Sequence, residues 1–115
     1  MFVFSTEPNA PPSNVKLSIR SSTSIMVEWG YVPSADQNGI ILSYTVTYWA
    51  LPGGSLQIKL VKAPTTKATL TGLNKLTNYS VTVFASTVKG DGNVSKPITL
   101  RTDEDSEFSN CFKFL

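Results

Sequence analysis

Apolar and polar residues alternate with a period of two along most of this chain, the spacing of half-buried β-strands rather than of helices. From Ser24, the residues Ile25, Val27 and Trp29 fall on one side and Ser24, Met26 and Glu28 on the other. From Leu42, the row Leu42, Tyr44, Val46, Tyr48 opposes Ser43, Thr45, Thr47, Trp49; from Tyr79, the row Tyr79, Val81, Val83, Ala85 opposes Ser80, Thr82, Phe84, Ser86. Shorter alternations are Val15-Leu17-Ile19, Leu56-Ile58-Leu60, Ala68-Leu70 and Ile98-Leu100. The apolar member of each row is expected to face inward, and no segment has the period of an amphipathic helix. Val, Ile, Thr and Tyr dominate the rows, as suits a pleated surface.

Turn residues punctuate these rows at Val32–Gly39, Leu51–Gly54, Gly72–Lys75 and Lys89–Asn93. About seven short strands with such spacing predict an antiparallel β-sandwich, two sheets enclosing one core. The 115 residues, 41% of them apolar, suffice for one domain and not for two. Residues 1–8 and 103–115 carry no strand pattern and are expected to be a linker or tail. The second begins acidic and ends apolar, in Phe108, Cys111, Phe112, Phe114 and Leu115.

Residues 9–102 resemble a fibronectin type III domain. The resemblance rests on Ala10-Pro-Pro-Ser-Asn-Val15, on Trp29 after Ser24–Glu28, and on Gly39–Tyr48. It rests further on Leu70-Thr-Gly-Leu73 followed by Asn78–Val83, and on Gly90-Asp-Gly92, Ser95-Lys-Pro97 and Thr102. Leu73 and Tyr79 stand six apart, the spacing of a tyrosine corner, in which the phenol bonds a backbone group upstream. The resemblance implies a seven-stranded immunoglobulin-like sandwich with Trp29, Leu73 and Tyr79 as structural residues. It also implies a non-catalytic, extracellular module of a multidomain adhesion or receptor protein that contacts other proteins and neighbouring domains. Two other roles occur in the family: an intracellular repeat of a sarcomeric or cytoskeletal filament, and an integrin ligand presenting Lys89-Gly90-Asp91 on a glycine-rich tip.

Composition narrows the chemistry. With no histidine and a single cysteine, His-based catalysis, an internal disulfide and a zinc cluster are excluded, and no cofactor is expected. No apolar run approaches the ~20 residues of a membrane span. Between Pro8 and Thr102 nine basic residues face three acids, a surplus of six positive charges. That surplus makes an anionic glycan a possible partner, although scattered lysines also serve solubility. Nucleic acid is not expected, because no basic cluster is interleaved with aromatics.

Trp49 and Phe84 have the outward parity of their strands, which the resemblance implies are neighbours in one sheet, and form the expected partner-binding patch. Asn78-Tyr-Ser80 and Asn93-Val-Ser95 match the N-glycosylation pattern, Asn93 in the more exposed loop. Asp36 and Asp91 share one end of the sandwich, but two carboxylates fall short of a calcium site.

Overall fold

The computed structural model of the chain describes residues 8, 10–33, 37 and 39–103. The alternating rows become strands in chain order: β1 (Lys16–Ser21), β2 (Ser24–Glu28), β3 (Ser43–Leu51), β4 (Gln57–Lys62), β5 (Lys67–Leu70), β6 (Asn78–Thr87), β7 (Gly90–Asp91) and β8 (Ile98–Arg101). One sheet has the order β1-β2-β5; the other runs β4-β3-β6, with β7 and β8 both paired to β6, and every pairing is antiparallel. Eight segments stand where seven strands were expected because the last lane is interrupted. β7 pairs the end of β6 at Ser86 and Thr87, and β8 pairs its start at Asn78–Val81.

Between those two segments the chain still satisfies β6. Gly92 N–H donates to the Ala85 carbonyl at 2.8 Å and Ser95 N–H to the Val83 carbonyl at 2.9 Å. The Ser95 hydroxyl, itself buried, accepts from Val83 N–H at 2.8 Å, standing in for a strand carbonyl. Gly92 is required there: a Cβ would lie 2.7 Å from the Pro8 ring, and Pro8 is fully buried although the sequence pattern leaves it outside the domain.

The core is built from the inward rows. Ile25, Val27, Val46, Val81, Val83 and Ala85 have no exposed surface, and each of the larger ones contributes roughly 1.5–3 kcal/mol by burial. Trp29 and Tyr44 pack with ring centres 5.5 Å apart and planes tilted by 58°. The Trp29 indole N–H meets no acceptor among the described residues. Burial raises the pKa of the Tyr44 phenol above its ordinary 10.0, and Tyr31 nearby pushes it the same way.

At the β5–β6 corner, the Tyr79 hydroxyl accepts from Asn74 N–H at 2.8 Å. The Asn74 carbonyl accepts from the Thr102 hydroxyl at 2.6 Å, and that hydroxyl accepts from Thr77 N–H at 2.9 Å. Both backbone polar groups of Asn74 are thus clamped at one end of the β6–β8 pair, one by Tyr79 of β6 and one by Thr102, which follows β8. Leu73 is buried beside them and donates its N–H to the Thr23 carbonyl at 2.9 Å.

Two rows depart from the expected inward placement. Leu42 precedes β3 and is half exposed. In β4 the apolar row is inverted. Val61 pairs with Tyr44 and is buried, so Ile58 and Leu60, of opposite parity, turn outward, 65% and 70% exposed. Gln57 and Lys59 share Val61's parity yet are exposed, because β4 is the edge of its sheet and the three-stranded sheet does not extend over them.

Candidate protein-binding face

The outer face of the five-stranded sheet is set by register, since directly paired residues of antiparallel strands point to the same side. Its rows across β4, β3 and β6 are Lys62–Ser43–Ser86, Leu60–Thr45–Phe84 and Ile58–Thr47–Thr82. Trp49 and Ser80 follow, joined by Thr99 of β8, and then Leu51, Asn78 and Arg101. Thr45, Ser80 and Thr82 face outward but are buried, short side chains between bulkier neighbours. The Thr47 and Thr82 hydroxyls bond each other across the strands. The face therefore has an apolar border on β4, two half-buried aromatics, hydroxyls between them, and the cations Lys62 and Arg101 at opposite ends.

Trp49 and Phe84 share this face but are not neighbours. Phe84 pairs with Thr45, four residues from Trp49 along β3 and so roughly 13 Å away, with the Thr47–Thr82 row between. Nor are the rings fully exposed. The most exposed apolar groups of the face are Ile58 and Leu60, which the alternation alone expects to face inward. The available signal is Val61, the one apolar residue of β4 with the parity of Gln57 and Lys59.

The other singled-out residues lie elsewhere. Lys89 is exposed in the two-residue turn between β6 and β7, and Asp91 is a strand residue. The Asp91 carboxylate accepts from the Ser86 hydroxyl at 2.7 Å. Gly90 between them has φ 144°, a backbone that favours glycine. Lys89-Gly90-Asp91 is thus the closing end of a tight hairpin rather than a free tip. Asn93 is exposed beyond β7, and Asn78 is exposed at the start of β6. Asp36 and Cys111 lie outside the described residues. Among the described residues no three of His, Cys, Asp and Glu gather where a metal could bind, and no helix is long and apolar enough to cross a membrane.

Two facing antiparallel sheets pinned by a tyrosine corner define an immunoglobulin-like sandwich, with binding left to its faces and loops. The family model of the fibronectin type III domain matches residues 10–101, and the chain belongs to that family. It is 41% identical over 101 residues to the receptor-type tyrosine-protein phosphatase F of Danio rerio, a match covering 85% of this chain and 5% of that protein. It is also 41% identical over 100 residues to the cell adhesion molecule DSCAM of Homo sapiens, again over 85% of this chain and 5% of the relative. A crystal structure of the chicken CNTN1 FN1-FN3 domains superposes with a TM-score of 0.77 at 26% identity, covering 86% of this chain and 33% of that one. The chain is thus homologous to single modules of much longer adhesion and receptor proteins.

Proposed function

We propose that this domain is a non-catalytic, extracellular interaction and spacer module of a multidomain adhesion or receptor protein, and that it binds a protein partner through the outer face of its five-stranded sheet. The observation that carries the reading is the exposed apolar border of that face, Ile58 and Leu60, continuous in register with Phe84 and Thr45. Exposed aliphatic side chains gathered on one face of a domain mark a candidate docking site. Similarity to surface proteins in which the matched region is 5% of the whole supports the modular, extracellular part.

The test is binding of the soluble chain to adherent cells, before and after Leu60→Glu. The substitution should weaken binding at least tenfold while the melting temperature stays within about 2 °C, since the side chain packs against solvent. Lys89→Ala, on the hairpin turn, should leave binding unchanged. Loss of binding with Lys89→Ala and none with Leu60→Glu would move the site to the hairpin and reject the face.

A further inference from the structure

We infer that the free edge of β4 accepts an extended strand of a partner protein in which apolar and acidic residues alternate. The inference rests on the outer-face reading and adds the partner's conformation and charge. Among the described strands β4 pairs only with β3, so its six residues present one edge of backbone donors and acceptors unpaired by strand. Such an edge templates an added strand, and an edge left open is commonly blunted by charge. Here the charge is of one sign.

From Gln37 to Gly90 the chain contains no aspartate or glutamate, while it carries Lys59, Lys62, Lys67, Lys75 and Lys89. Lys59 and Lys62 stand on β4 itself, and Lys67 begins β5, the neighbouring edge of the opposite sheet.

The two sides of β4 differ in the way an alternating strand requires. On the outer side stand Ile58 and Leu60, which would flank apolar residues of the incoming strand. Lys62 ends that outer row, while on the other side Gln57 and Lys59 precede the buried Val61, so that side is polar at its exposed positions. A cleft of about 410 Å³ opens at that end, lined by Tyr48, Gln57, Leu73 and Asn74 among others. Carboxylates of the added strand would lie on this side, within reach of the Lys59 ammonium. A second copy of the chain is the poorer occupant, because β4 against β4 adds two more lysines and no acid, and like charges on paired strands repel.

The experiment uses the whole 115-residue chain and two capped eight-residue peptides, one alternating valine and glutamate, the other valine and lysine. Amide hydrogen exchange and chemical shifts are read residue by residue. The acidic peptide should slow exchange at alternate β4 amides, those directed away from β3, and bind at least tenfold tighter than the basic one. Lys59→Glu should reverse that preference, and Lys59→Gln should abolish it with the fold intact. Shifts confined to Ile58, Leu60 and Phe84, without protection of β4 amides, would overturn the edge inference and leave the face reading standing. No response at either place would overturn both. Equal binding of the two peptides, or a β4-to-β4 dimer in sedimentation, would overturn the alternating acidic partner.

Discussion

Asn74 shows how much of this fold is held by one residue's backbone. Its N–H is taken by the Tyr79 hydroxyl and its carbonyl by the Thr102 hydroxyl. Tyr79→Phe removes the hydroxyl that pairs the Asn74 amide at this part-buried corner and should cost about 1 kcal/mol in urea unfolding. Thr102→Val should cost about as much, and the double variant less than the sum if the two hydroxyls act as one clamp. Tyr44 makes a pH prediction. Its pKa is raised in the folded state chiefly by burial, so the neutral phenol stabilises the fold in full below the unfolded value of 10.0. That contribution falls away as pH rises from there through the raised folded value. Unfolding midpoints measured from pH 9 to 11 should therefore drop less for Tyr44→Phe than for the parent chain; equal drops would place the phenol in water. The Tyr79 corner is legible in sequence because a six-residue spacing is a local property. The role of Thr102, bonded to residues 25 and 28 positions away, depends on pairing that sequence spacing does not reveal.

At the scale of the element, β4 and the β7–β8 lane carry what alternation alone leaves undecided. A period of two separates a strand into two rows but does not say which row meets the opposite sheet. In β2 and β6 the apolar row is inward and the expectation coincides with the structure. In β4 the pairing of Tyr44 with Val61 decides it, and Ile58 and Leu60 are left outside. The consequence is measurable. Val61→Ala should destabilise by about 1–3 kcal/mol, whereas Ile58→Thr and Leu60→Thr should each stay within about 0.5 kcal/mol. The reverse ranking would restore the inward reading of that row. Ser95→Ala should cost about 1–2 kcal/mol, because Val83 N–H, deep in β6, loses its acceptor. The strand count differs from the expected seven for the same reason: a serine hydroxyl and a glycine amide continue the lane where regular pairing stops.

For the whole molecule, the two sheets differ in what they offer a partner. The outer side of the three-stranded sheet aligns Lys16, Glu28 and Lys67 in one row, a charge pattern suited to water. The outer side of the five-stranded sheet sets exposed aliphatics beside half-buried aromatics, with the Asp91 carboxylate at its margin bonded to the Ser86 hydroxyl. A domain so divided can be strung between neighbours by its ends while one face remains available for recognition. In the proposed function this face is the one in contact with a partner. A photocrosslinking phenylalanine derivative introduced in place of Leu60, and separately in place of exposed Ser18 on the opposite sheet, tests it directly on the surface of living cells. A partner seated on this face gives a discrete protein crosslink from position 60 and none from position 18. Crosslinks from position 18 alone would contradict it.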